Sequence, residues 1–376
     1  MIVDSDQHLY ELAGMWSDHI DPARRADALR LEQDDLGYTW LAWRDSRIGL
    51  AEVHQPGDVD RCGALREGRR RDEPAPYDYD ATLPASFWDP AARVAWLDEA
   101  GVDEAVCFPN YGLLWERRLS SDLGALTANM TAWNRWAASV ASAGGGRLHP
   151  VGHLTLRDPA WVLAELESLA AAGIRLAMVA PAAVDGRPLS HPDHERLWSA
   201  FVDHGITPTF HVADQPRVLD DAFYTEPDSF VPAIESAFLW VPPAVALTDL
   251  ILHGTFDRHP ALRFAVVELS SIWVPQYLLM LDGAHDFTSR LNGRPPAPLA
   301  RRPHEYFLDH VKVSSFSYED PTRLMRHCGD VFMACSDYPH SEGTATPLDD
   351  YARAGLTPDD SSGFFSTNAL SLLRER

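Results

Sequence analysis

The chain has 376 residues, 45% of them hydrophobic, which is enough for one large domain or two ordinary ones with a sizeable core. Its 55 acidic against 32 basic residues give a formal charge of −23, a field that repels phosphate backbones and argues against nucleic acid as a partner. Four scattered cysteines without CxxC spacing, an N-terminus without a basic-then-apolar leader, and no apolar run of about 20 residues argue against a disulfide framework, a signal peptide and a membrane span, so a soluble cytoplasmic protein is expected.

The first element, MIVDSD, runs into DSDQHLYE. Residues two apart on a strand share a face, so Asp6 and His8 can converge on one point; polar residues at a solvated strand end are the plainer alternative. Residues 12–90 then break the rhythm with charge, proline and aromatics (LGYTWLAWRDSRIGLAEV, DEPAPYDYDATLPASFWDP), too long a stretch for a simple crossover. A small β-containing insertion with an extended arm is expected there, serving either as a cap on the site or as a dimerisation arm. The basic run Arg69-Arg70-Arg71, followed by Asp72 and Glu73, reads as a solvated loop.

From residue 90 apolar runs alternate with amphipathic stretches. ARVAWLDEA suits a helix stopped by Gly101, before the strand AVCFP. LTANMTAWNRWAASVASA precedes PVGHLTL. DPAWVLAELESLAAAG, with Asp158 and Pro159 as cap and first-turn residues, precedes IRLAMVAP. HPDHERLWSAFVDHG leads to ITPTFHVAD, and AVALTDLILHGTFDRHPA to LRFAVVELS. HVKVSSF and VFMACSDYP close the series before a last helix at 361–373. The strand candidates 2–6, 105–109, 150–156, 174–180, 206–212, 262–269, 310–316 and 331–337 number eight. Eight strands alternating with helices predict an α/β fold, a (β/α)8 TIM-type barrel forming one domain over 1–376, with 12–90 inserted after the first strand.

In such a barrel the informative groups are polar residues at the C-terminal strand ends. These are Asp6 and His8, His211, Glu268 and Asp337. Each has a plain structural alternative: a helix cap, a core histidine, an arginine partner or a turn residue. Together, two imidazoles and two or three carboxylates facing one end are costly without a cation, and the mixed set suits Zn²⁺ or Mn²⁺. The single lysine, Lys312, lies outside the fourth strand, so a carbamylated lysine bridging two metals there is excluded and one divalent ion is expected.

These blocks resemble the amidohydrolase-related branch of the amidohydrolase superfamily, which includes aminocarboxymuconate-semialdehyde decarboxylase, γ-resorcylate decarboxylase and 5-carboxyvanillate decarboxylase. The resemblance runs through DSDQHLYE, ARVAWLDEAGVDEAVCFPNYG, FHVAD, HGTFDRHPALRFAVVELSSIWVP, RRPHEYF, CSDYPHSEG and TNALSLL. It implies Asp6, His8, His211 and Asp337 as metal ligands, Zn²⁺ first and Mn²⁺ second, and a homodimer. The chain departs from the pattern twice. Asp6 stands where the decarboxylases usually have His or Glu. Glu268 stands where they have a histidine, and a carboxylate cannot replace a donor unless it is protonated.

The resemblance implies a decarboxylase of a small, hydroxylated aromatic acid, with Asp337 as proton donor and His211 and Glu268 beside it. The rival is hydrolysis of an amide, ester or lactone, with Asp337 taking a proton from water and Glu268 orienting the substrate. A third reading is a barrel that only binds a metabolite. Further candidates toward the substrate are His340, Trp273 and the arginines Arg44, Arg47 and Arg302, whose fork suits a carboxylate. His253 belongs to the helix before the sixth strand, away from the metal.

Overall fold

The computed structural model describes residues 1–75, 78–224 and 232–373. Its strands in chain order are β1 (Val3–Leu9), β2 (Arg30–Gln33), β3 (Thr39–Trp43), β4 (Ser46–Leu50), β5 (Glu104–Pro109), β6 (Leu148–Pro150), β7 (Gly152–His153), β8 (Leu176–Met178), β9 (Thr207–His211), β10 (Phe264–Val267), β11 (Val311–Ser315) and β12 (Phe332–Ala334). The sheet β1-β5-β6 and the sheet β7-β8-β9-β10-β11-β12 are parallel throughout. They are halves of one ring. The chain runs from β6 into β7 across Val151, whose N–H donates to Cys107 and whose carbonyl accepts from Trp133 Nε1. At the other seam Asp337 N donates to Asp6 O at 2.8 Å and His8 N to Tyr338 O at 2.7 Å. This is the expected (β/α)8 barrel.

The strands are shorter than their apolar runs. The third, expected over 150–156, is β6 and β7, because the segment changes partner at Val151 from β5 to β8. The sixth stops at Val267, since Glu268 takes a left-handed φ of 52°, and the eighth at Ala334, since Cys335 spends its N–H and its carbonyl on Tyr351 Oη before Asp337 turns at φ 57°. β1 is longer than expected, so Asp6 and His8 lie inside it, across a register shift between Asp4 and Gln7.

The helices follow their caps. Asp89 accepts from Ala92 N at 2.8 Å, Pro90 opens the helix Pro90–Ala100, and Gly101 at φ 72° ends it. Asp158 does the same for Pro159–Ala171. Residues 233–252, long and apolar enough by composition to cross a bilayer, are divided into Ala233–Phe238 and Val241–Leu252, with Leu247, Leu250 and Ile251 buried in the core. Arg69 and Arg70 close the helix Val59–Arg70 rather than lying in a loop, and Arg69, Arg70 and Arg71 pair with Asp72, Glu67 and Glu73.

The 12–90 segment does contain β structure, the antiparallel sheet β2-β3-β4. It packs onto the turn after β12: Gly57 N donates to Ser341 O at 2.6 Å, and Ser86 Oγ lies 2.9 Å from Tyr338 Oη.

Two buried polar groups lock β1 in place. Asp4 accepts from Gln7 Nε2 (2.8 Å), Ser336 N (2.9 Å) and Asp6 N (3.1 Å), tying β1 to the eighth strand's end. Arg93, fully buried, donates to His8 O (2.6 Å), Gln7 Oε1 (2.9 Å) and Ser86 O (2.5 Å) and lies over the Tyr338 ring. Arg93→Ala strands three acceptors in the interior. It is expected to cost at least about 3 kcal/mol of stability, measured by urea unfolding of the full chain.

Candidate active site

Five acceptor or ligand side chains meet at the C-terminal mouth of the barrel: Asp6 and His8 from β1, His211 from the end of β9, Glu268 just past β10 and Asp337 just past β12. Asp6, His8 and Asp337 are 0% exposed and His211 1%. His8 Nε2 lies 3.4 Å from Asp6 Oδ1, 3.5 Å from Glu268 Oε2 and 3.2 Å from Asp337 Oδ1. His211 Nε2 lies 3.4 Å from Asp6 Oδ1 and 3.3 Å from Glu268 Oε2. Ligands about 2.1 Å from one ion stand roughly 3–3.5 Å from each other, so this spacing fits donors around a common centre.

The imidazoles are presented for ligation. His8 Nδ1 is 3.0 Å from Pro109 O and His211 Nδ1 is 2.8 Å from Val212 O. A carbonyl can only accept, so each Nδ1 carries a proton and each Nε2 is the nitrogen that faces the cluster, free to ligate once it is unprotonated. Asp6 Oδ2, His8 Nε2 and Glu268 Oε2 are buried and make no hydrogen bond. Orphaned polar atoms of this kind are rare in a folded interior, and here they converge. The donor set therefore fits one divalent metal ion.

The grouping differs from the expected four. Asp6, His8, His211 and Glu268 offer ligand atoms within 4.8 Å of one another, as do His8, Glu268, Asp337 and His340. Glu268 belongs to both groups. Its left-handed backbone, with the amide donating to Ser314 Oγ at 3.0 Å, turns the carboxylate inward. The sequence shows Glu268 at the right strand end but not that it shares the centre with the ligands.

Crowding splits the protonation of the carboxyls. Burial, and then the Asp337 charge, push Glu268 up to about 7. Burial alone would raise Asp337 too, but His340 and His8 hold it well below the ordinary carboxylate range. Asp6 is likewise held down, against burial, by His211 and His8. His340 is the third imidazole. It stacks on His8 with centroids 3.7 Å apart, puts Nδ1 2.8 Å from Asp337 Oδ1 and Nε2 2.9 Å from Asn110 Oδ1.

Other predicted residues lie elsewhere. Arg44 pairs with Asp27 and Asp122, Arg47 with Glu32, and Arg302 with Asp282 and Asp286, all on exposed surface. The structure brings none of them to the cluster, because each has acidic partners near its own element. Trp273 is buried against Tyr277 and Phe307 and donates to Ser270 O, in the core beneath the mouth rather than along the open cavity. His253 pairs with Asp249 on the outer surface. A further group, Glu52, His54 and Cys62, already has a cation, with Arg66 Nε 3.4 Å from Glu52.

A cavity opens beside His211, lined by residues after β8, β9 and β10 and by the helix after the β9 loop. Among the described residues lining it, the basic side chain besides His211 is Arg217, which is not among the residues predicted from the sequence. The signal available was position: HVADQPR places it six residues after a strand-end histidine.

Residues 77–374 match the family model for amidohydrolases. No curated protein matches the chain. Among solved structures, an amidohydrolase of Mycobacterium avium subsp. paratuberculosis K-10 is similar at 23% identity and TM-score 0.76, with 99% of each chain covered. The 5-carboxyvanillate decarboxylase of Novosphingobium aromaticivorans DSM 12444, complexed with manganese and 4-hydroxy-3-methoxy-5-nitrobenzoic acid, is similar at 19% identity and TM-score 0.64, over 99% of this chain and 96% of that one. The 2,6-dihydroxybenzoate decarboxylase from Rhizobium is similar at 16% and 0.61, over 99% and 98%.

A carboxyl raised in the folded state stabilises below its unfolded value and loses that contribution as pH rises through its folded one. For Glu268 the window runs from the ordinary 4.5 to about 7. In chelator-treated protein, Glu268→Gln is expected to match the wild type near pH 4.5 and to melt at a higher temperature near pH 8. Thermal unfolding at both pH values checks this.

Proposed function

This chain belongs to the amidohydrolase family, and on that premise we propose that it is a metal-dependent, non-oxidative decarboxylase of a small hydroxylated aromatic acid. The observation that carries this reading is the split between Glu268 and Asp337. Protonation of a ring carbon needs a neutral acid at the site. In the metal-free chain burial and the Asp337 charge push Glu268 up to about 7, so of the two carboxyls it is the one placed to carry a proton beside the ion, whereas His340 and His8 hold Asp337 low. This reassigns the proton donor expected from the resemblance, from Asp337 to Glu268, and answers how a carboxyl can stand in for a donor histidine. The similarity to decarboxylases of 5-carboxyvanillate and 2,6-dihydroxybenzoate supports the substrate class.

Asp6, His8, His211 and Asp337 would hold the ion, with Glu268 beside it. Two carboxylates with two imidazoles suit Mn²⁺, the ion present in the Novosphingobium enzyme, as well as the Zn²⁺ expected from the resemblance. A bound divalent ion supplies a Lewis acid and a template for the substrate's carboxylate and neighbouring hydroxyl oxygen. Glu268 gives its proton to the ring carbon bearing the carboxylate. The carbon–carbon bond then breaks, CO₂ leaves, and the bonding pair restores the aromatic ring. Asp337 stays anionic throughout, oriented by His340. The 12–90 insertion, packed on the turn after Asp337, caps this side of the mouth and limits water.

Hydrolysis is the second reading, favoured by the ionised Asp337, which could take a proton from water. A panel of hydroxybenzoates tested for CO₂ release beside lactones and anilides separates the two. Decarboxylation predicts CO₂ from at least one acid, with Glu268→Gln lowering kcat about 10²–10⁴-fold. Ester or amide cleavage without CO₂ from any acid removes the decarboxylase reading.

A further inference from the structure

The cavity beside His211 has an uneven chemistry. Leu219, Phe238, Leu239 and Leu269 make an apolar wall, and Arg217 stands in it. The Arg217 guanidinium lies 3.6 Å from the centre of the Tyr224 ring, its side chain is 17% exposed, and its Nε is buried without a hydrogen-bond partner. A cation flattened on an aromatic face has its planar fork fixed in advance, which favours a planar anion. A buried guanidinium N–H left without an acceptor is costly, and an incoming carboxylate would satisfy it.

Among the described residues, the neighbouring acids do not use up this charge. Asp221 reaches Arg217 Nη1 at 3.3 Å from a position that is 83% exposed, where water screens the pair. Asp214 is engaged by Arg117 and Arg118 at 2.5 and 3.0 Å. Glu235 lines the same cavity, and burial raises its carboxyl above the ordinary value even with Arg217 beside it.

We propose that Arg217 is the specificity-determining residue of this cavity, holding through its fork an anionic group of the substrate distinct from the one that reacts at the Asp6, His211 and Glu268 cluster. The substrate is then an aromatic acid with a second anionic group, its ring lying along the leucine and phenylalanine wall. Arg217 and His211 line the same cavity, so one molecule lying along this wall meets the fork at one end and the cluster at the other. This inference rests on the reading of the mouth as a metal site for an organic acid, but its test needs neither metal nor turnover.

The experiment is calorimetric titration of the chelator-treated full chain with 4-phenylbenzoate and with the uncharged 4-phenylbenzamide at low salt. The wild type is expected to bind the acid about tenfold or more tightly than the amide. Arg217→Gln should erase that preference while leaving amide affinity unchanged, and Arg217→Lys should retain only part of it. Should the glutamine variant fail to fold, the wild type decides: its acid preference must fall as NaCl is raised. A wild type without preference, a glutamine variant that keeps it, or a preference indifferent to salt overturns the proposal. Discrimination in a chain that releases no CO₂ from any acid leaves Arg217 standing and removes only the decarboxylase reading.

Discussion

The structure turns on a charge problem. Asp6, Glu268 and Asp337 are gathered around the Nε2 atoms of His8 and His211, the two aspartates out of water and Glu268 nearly so, within 3.2–3.5 Å of them. Three buried carboxyls so close cannot all ionise without a compensating cation. The metal-free protein resolves this by pushing a proton onto Glu268 and holding protons on His8, whose imidazole is kept well above its ordinary value by Asp337 and Asp6 despite burial. A divalent ion resolves it by displacing protons from the imidazole, which couples metal affinity to pH.

Much of the fold is arranged to keep those groups together against their repulsion. The barrel closes where the ligands are, through the backbone bonds of Asp337 to Asp6 and Tyr338 to His8. Arg93 and Asp4 satisfy the remaining polar groups of β1 from behind, and two carbonyls fix the histidine tautomers. Left-handed backbone at Glu268 and Asp337 stores strain of roughly 1–3 kcal/mol each, tolerated because the surrounding ladder leaves no alternative path. Stability is exchanged here for convergence, as is usual where ligands must be preorganised.

The sequence made the barrel legible because periodicity and caps are local: Asp89, Pro90 and Gly101 announce a helix without help from the rest of the chain. Asp6, His8, His211, Glu268 and Asp337 were legible as strand-end polar residues once eight strands were counted. What was hidden depends on three-dimensional neighbours. Nothing local tells that Arg44, Arg47 and Arg302 each find acids on the surface, that Trp273 packs downward onto Tyr277, or that Arg217 flattens on Tyr224 beside His211. The role of Glu268 was hidden for the same reason, since its proton is set by Asp337, 69 positions away in the chain.

Buried donors converging this closely make a centre built for one divalent cation. The most direct measurement is the thermal unfolding midpoint of chelator-treated protein as Mn²⁺ is added back. A cation that binds only the folded state raises the midpoint by mass action. The rise is expected to break at one equivalent per chain and to vanish in Asp6→Asn. No rise with Mn²⁺ or Zn²⁺, or an equal rise in Asp6→Asn, would contradict a cation centre at this cluster.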